Sequence, residues 1–152
     1  MNQIPILSHE DNLSDMIERV YETRLDVAGG WGYAREEATR LNPLPVSRAQ
    51  LQHNLAHMRV YLEMNITQTE ATRYSGIDLV ETERERVGAF ERVTYRVTGI
   101  LEKQYNDFIQ EYKEGYGKED FDISGHFARR KAATLTREIE YWFDLSGWEE
   151  SA

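Results

Sequence analysis

Apolar residues recur at three- and four-residue spacing along most of this chain, the pattern of helices that turn one face inward. Leu13, Met16, Ile17, Val20 and Tyr21 predict a first helix from about Asn12 to Val27, ended by Gly29-Gly30. A short helix is predicted through Ala34 to Leu41, stopped by Asn42-Pro43-Leu44-Pro45. The next start is the clearest. Ser47 and Gln50 have capping-box spacing, Val46 and Leu51 occupy hydrophobic-staple positions, and the helix they open is predicted to reach about Met64. Leu51, Leu55, Met58 and Leu62 form one stripe of it, and Ala56, Val60 and Met64 a second, so it should be central. Thr67 and Glu70 repeat the capping pattern.

Farther on, Ile77 to Glu114 reads as one long helix, or two broken near Gly88. Phe90, Val93, Val97, Leu101, Tyr105, Phe108 and Tyr112 lie along one face, and Gly115-Tyr116-Gly117 ends it. A last helix is predicted from about Ile123 to Leu145, with Ala128, Ala132, Leu135, Ile139 and Trp142 as its stripe and Ser146-Gly147 as the stop. No segment is read with a period of two. The expectation is an all-α fold, a single-domain bundle of five or six helices over residues 1–152, with flexible ends at 1–11 and 148–152. A short echo, Glu37-Ala38-Thr39-Arg40 against Glu70-Ala71-Thr72-Arg73, raises the question of two divergent helical hairpins.

Composition narrows the function classes. The 152 residues suit one domain, and 40% hydrophobic content supplies a core. Absence of cysteine removes disulfides, zinc-thiolate sites and thiol nucleophiles together. The first residues lack a basic start and an apolar stretch, and no window approaches the ~20 apolar residues of a spanning helix, so the chain is read as cytoplasmic with no membrane role. A net charge of −9 opposes casual nucleic-acid binding, which relies on Lys and Arg displacing counterions.

Residues 59–78 resemble the first half of a Cro/repressor-type helix-turn-helix. An amphipathic helix leads to Thr67-Gln68, then Ala71 and Thr72, and Gly76-Ile77 stands where that family has its turn. The resemblance implies a DNA-binding regulator using residues 56–86, with Thr67, Gln68, Arg73, Arg84 and Arg86 as candidate contacts. The following segment departs from the family, having Thr82 and Glu85 where the recognition helix needs inward apolar residues, and Glu81 and Glu83 among its groove-facing positions.

Other constellations are weaker. His53 and His57 stand four apart, a spacing at which two imidazoles on one helical face share a metal; His9 and His126 are the remaining histidines, and no cofactor is expected. Arg48 and His53 have the Arg-x4-His spacing of the HEPN family of helical ribonucleases, which this chain also resembles in size. A HEPN-like ribonuclease or a metal-dependent hydrolase around His53 is therefore a distant alternative. Asp120, Asp122, Ser124 and Gly125 open like a calcium loop, but Lys131 stands where the closing carboxylate belongs, and Asp122 or Ser124 serves more simply as a helix N-cap. Arg92, Arg96 and Lys103 share one side of the predicted long helix, and Arg129-Arg130-Lys131 forms a second basic cluster. Trp31 and Tyr33, set among Gly29, Gly30 and Gly32, read as an aromatic loop suited to anchoring a contact.

Acidity, the bias of 14 Arg to 4 Lys and this aromatic loop favour a small non-enzymatic regulatory or inhibitory protein that binds a macromolecular partner, most simply another protein, through a helical surface. The helix-turn-helix regulator is the alternative.

Overall fold

A computed structural model describes residues 4–7 and 12–149 of the chain. Five strands form one mixed sheet: β1 (Val27–Gly29), β2 (Thr39–Leu41), β3 (Tyr74–Val87), β4 (Phe90–Leu101) and β5 (Leu135–Asp144). Their order is β1-β2-β5-β4-β3, antiparallel at every junction except the parallel pair β2 and β5. Five helices accompany them: α1 (Leu13–Tyr21), α2 (Arg48–Tyr61), α3 (Glu102–Gly115), α4 (Ile123–Ala133) and the short α5 (Ser146–Glu149). This is an α/β fold, and it overturns the expected all-α helical bundle.

The correction falls mainly on two segments. The predicted long helix over 77–114 is a β3–β4 hairpin followed by α3, and the predicted last helix is α4 followed by β5. Along β4, Glu91, Val93, Tyr95 and Val97 are buried while Arg92, Thr94, Arg96 and Thr98 lie on the opposite face. Alternation of this kind, with β-branched and aromatic residues, is the strand period. In β5 the same period puts Ile139, Tyr141 and Phe143 inward. Gly88, expected as a helix break, has φ 61° at the first position of the two-residue turn that pairs Val87 with Phe90; glycine there is what a tight hairpin turn asks for.

The helices α1 and α2 cover the inner face of the sheet. Leu13, Met16 and Ile17 from α1, and Leu51, Leu55, Ala56 and Val60 from α2, join Val93, Tyr95, Val97, Ile139, Tyr141 and Phe143 in one core. Both helices carry side-chain caps, that of α2 at the serine the sequence indicates. Asn12 accepts from the Asp15 N–H at 3.1 Å and Ser47 from the Gln50 N–H at 3.1 Å. The Gln50 amide bonds forward to Asn54 at 2.9 Å, so the expected box at Ser47 closes on one side only. α2 continues through one π turn, Leu62–Ile66, which carries Leu62, Glu63 and Met64 inward. The helix start expected at Thr67 and Glu70 is instead a turn leading into β3. Glu37–Arg40 closes a 3-10 turn and enters β2, whereas Glu70–Arg73 is turn, so the echoed segments do not form matching hairpins.

α3 and α4 form a helical hairpin against β3 and β4 at the Leu101 end of the sheet. The rest of the outer face is open. There Arg92 is bonded to Glu83 at 3.2 Å, Glu85 at 2.6 Å and Glu140 at 3.3 Å. Of the ends expected to be flexible, 1–3, 8–11 and 150–152 lie outside the described residues, as does His9. Leu7 is buried in the core and Trp148 packs partly against it. Among the described residues, no helix is long and apolar enough to cross a membrane.

Candidate functional site

Three polar constellations stand out, and two of them are closed on themselves. The first surrounds Arg59, only 2% exposed. Its guanidinium lies 4.4 Å from the Tyr33 ring centroid and 4.7 Å from that of Tyr141. It donates to the Trp31 carbonyl at 3.0 Å and the Glu140 carbonyl at 2.9 Å. The buried Glu63 carboxylate, one helical turn on, is 3.8 Å from Arg59 Nε, accepts from the Tyr33 hydroxyl at 2.5 Å, and receives Arg137 at 3.3 Å. Burial, reinforced by the Glu63 charge, pushes the Tyr33 phenol well above its ordinary range. The charged groups here are paired with one another, while Arg59 Nε and Trp31 Nε1 are buried without a hydrogen-bond partner, and the arrangement cross-braces the 31–33 loop, α2 and β5.

The loop at Gly30-Trp31-Gly32-Tyr33 therefore corrects the reading of an exposed aromatic anchor. Trp31 is 4% exposed and Tyr33 half-buried. Gly32 has φ 76°, and a Cβ there would lie 2.2 Å from the Tyr141 ring. Its carbonyl also accepts from the Trp142 N–H at 2.8 Å. These glycines let the loop press onto β5, not swing free of it.

A second network joins the first turns of α2 to β3 and β4. Glu91, buried, accepts from Gln52 at 2.7 Å and Arg84 at 2.5 Å, with Arg48 at 3.9 Å. Arg84 also bonds Gln52 at 2.6 Å and Glu81 at 2.5 Å; the Glu81 bond is the main cause that raises its already high pKa. His53 stands edge-on to Tyr95, with 6.2 Å between centroids. The Tyr95 hydroxyl is buried without a hydrogen-bond partner, and burial pushes its pKa well up. Arg48 thus belongs to a balanced cluster of two arginines, Arg48 and Arg84, and two glutamates, Glu81 and Glu91, and His53 lies beside it against Tyr95. His57 turns to stack on Tyr61 at 6.4 Å. Among the described residues, no group of three or more His, Asp or Glu side chains is arranged to hold a metal.

The candidate DNA contacts are not brought together. Thr67 and Gln68 bond back to the Leu62 and Glu63 carbonyls at the end of the π turn. Arg73 is paired with Glu102, and Arg84 belongs to the Glu91 network. Residues 79–86, expected as a groove-entering helix, are strand. Arg92 and Arg96 do share a face, that of β4, and Lys103 is exposed on the first turn of α3.

The third constellation is the α3–α4 hairpin, and it is open. Between residues 102 and 133 only Gly115 and His126 are fully buried. His126 Nδ1 meets Glu111 at 3.0 Å, and its ring is packed by Phe108, Tyr112, Phe121 and Phe127. The His126 bond, with Arg129 also on the same oxygen, lowers the Glu111 pKa. Asp122 caps α4 by accepting from the Gly125 N–H at 3.0 Å. At the rim of this small centre, Tyr116 is 70% exposed, Phe127 47% and Ile123 45%. Beside them lies a cavity of about 520 Å³ lined by Asp107, Glu111, Glu114, Asp120, Lys118 and Phe121, among others.

Sequence reasoning passed over Tyr116, Ile123 and Phe127. The signal was present: Gly115-Tyr116-Gly117 sets an aromatic in a turn between helices, and Ile123 and Phe127 are four apart on a helix whose inward stripe runs elsewhere. The class that fold and site define is a one-sheet α/β protein whose inner charged groups are paired with one another and whose exposed aromatic surface is a helical hairpin. Comparison with family models, with curated proteins and with solved structures finds no match.

Proposed function

We propose that this chain is a non-enzymatic regulatory or inhibitory binding protein, and that α3–α4 is the element with which it docks a protein partner. One observation carries the reading. Leu13, Met16 and Ile17 of α1 and Leu51, Leu55, Ala56 and Val60 of α2 are buried in the core, whereas Tyr105, Phe108, Ile109, Tyr112 and Phe121 of the hairpin region are only half-buried and Tyr116, Ile123 and Phe127 are exposed. A paired-helix unit with so little interior is completed by a surface laid against it. Tyrosine and phenylalanine suit that role, since they contribute large contact area at small entropic cost.

Charge gives the partner's character. Four carboxylates against Lys118 line the adjoining cavity, and the whole chain carries −9. A partner with lysine or arginine beside an apolar patch complements both, and a second copy of this chain is opposed by its own charge.

The test is photo-crosslinking in the cells that make the protein, from a probe placed at Tyr116 or Phe127 and, as a control, at exposed Ala49 on α2. Crosslinks from the two hairpin positions to one basic protein are expected. The purified pair should then bind with an affinity that falls as salt rises, and that is lost in a Tyr116→Ala/Ile123→Ala variant whose melting is unchanged. Equal crosslinking from position 49, or tight, steeply salt-dependent binding of duplex DNA instead, would overturn the proposal.

A further inference from the structure

The longer of the sheet's two edge strands, β3, carries a charge pattern that bears on a second surface. β3 pairs with β4 on one side, and no described strand lies on its other side. After the irregularity at Thr82, the register sets Glu83 opposite Thr94, Arg84 opposite Val93, Glu85 opposite Arg92 and Arg86 opposite Glu91. Thr94 and Arg92 belong to the outer face and Val93 and Glu91 to the buried one. Glu83 and Glu85 therefore form an outward row, and Arg84 and Arg86 an inward row. Glu81 through Arg86 is exposed apart from the half-buried Arg84.

Directly opposed residues in an antiparallel pair share a face. If β3 of a second copy approached this edge antiparallel, every register of residues 83–86 would set glutamate against glutamate and arginine against arginine. The edge is coded against itself, as exposed edges commonly are. The same code is not neutral toward other strands: Glu83 and Glu85 share the single cation of Arg92 with Glu140, three carboxylates on one arginine, so a segment with Lys or Arg on alternate residues supplies the charge this row lacks while its backbone completes the ladder.

We infer that the Thr82–Arg86 edge accepts an added antiparallel strand from a different protein, one that places basic residues on alternate positions of the outer row. This does not rest on the hairpin reading, and either can fail alone.

The chain has no cysteine, which makes a thiol trap clean. A Thr82→Cys protein is equilibrated in glutathione buffer with the peptides Thr-Lys-Thr-Lys-Cys and Thr-Glu-Thr-Glu-Cys, whose C-terminal cysteine at position 82 sets the charged residues opposite Glu83 and Glu85 in an antiparallel strand. The mixed-disulfide fraction is read by mass spectrometry, with Ala49→Cys as the control for general attraction of cations to an acidic protein. At low salt the lysine peptide should be favoured at position 82 by about fivefold more than at position 49, the size of effect two cross-strand charge pairs supply. The preference should fade at high salt. It should also vanish for a lysine peptide methylated on alternate backbone nitrogens, which keeps the charge and loses the ladder. Equal preference at 82 and 49, or full retention by the methylated peptide, overturns the inference. So does a disulfide-linked homodimer through position 82 that forms in preference to the peptide adduct.

Discussion

Arg59 sits with its guanidinium 4.7 Å from the centroid of the Tyr141 ring while its Nη2 donates to the carbonyl of the preceding residue, Glu140. One side chain of α2 thereby reads both the face and the backbone of β5. A buried cation held this way is costly to disturb from one side, because its partner Glu63 stays buried. Arg59→Ala should lower stability by about 3–5 kcal/mol, and Arg59→Met with Glu63→Gln, which removes both charges, should recover a good part of that loss. Urea denaturation of the three proteins measures it; a single variant no weaker than the double one would contradict the account of a mutually dependent pair.

Trp31 and Tyr116 make a matched contrast between an aromatic in the core and one on the surface. Trp31→Ala should cost about 3–5 kcal/mol, the loss typical of a deleted core aromatic. Tyr116→Ala should change stability by less than about 0.5 kcal/mol. Thermal melts of both decide whether the glycine-flanked loop or the glycine-flanked helical turn is the one left free for contact.

Why the sheet went unread is visible at β4. Val93, Val97 and Leu101 recur every four residues, as do Arg92 and Arg96, and a spacing of four keeps residues on one side of a helix and on one face of a strand alike. Tyr95 separates the two cases. In a helix it would lie away from Val93 and Val97, whereas in the strand it joins them at 0% exposure. Ile139, Tyr141 and Phe143 repeat the lesson two apart in β5. What was legible was local chemistry: the caps at Ser47 and Asp122, the apolar face of α1, the stop at Gly115-Tyr116-Gly117. Burial of Arg59 and Glu63 was not legible, since it depends on Tyr33 and Arg137, distant residues that only the folded chain brings near.

Ser47 tests the capping side of this account. Its hydroxyl accepts from the Gln50 N–H, so Ser47→Ala should destabilise by about 1 kcal/mol. His53→Ala should cost less, because His53 is partly exposed and its described contact is the edge of Tyr95. A melt in which the histidine change is the more damaging would mean that the cluster of Arg84, Glu91 and Tyr95 depends on His53.

Alkaline titration gives the sharpest pH prediction. Burial raises the phenol pKa of Tyr21, Tyr33 and Tyr95 well above the ordinary value, and that of Tyr141 to about 12. A raised phenol pKa means that folding favours the protonated form. The associated stability is fully present below pH about 10, where unfolded tyrosine titrates, and is lost as pH rises through the folded values. In the phenolate absorbance band the protein should therefore show one set of tyrosines titrating normally and a second appearing only at higher pH, together with loss of ellipticity. Two substitutions separate the causes. Thr39 donates to the Gly30 carbonyl at 2.6 Å, so Tyr141 is the donor in its 2.7 Å bond to Thr39, and Tyr141→Phe should cost about 1 kcal/mol at neutral pH. Tyr95→Phe removes a buried hydroxyl that has no partner, so it should leave neutral-pH stability unchanged or higher and move the alkaline transition upward. If Tyr95→Phe is instead the more destabilising of the two, the Tyr95 hydroxyl has a hydrogen-bonding role and the closed reading of the α2–β4 network fails.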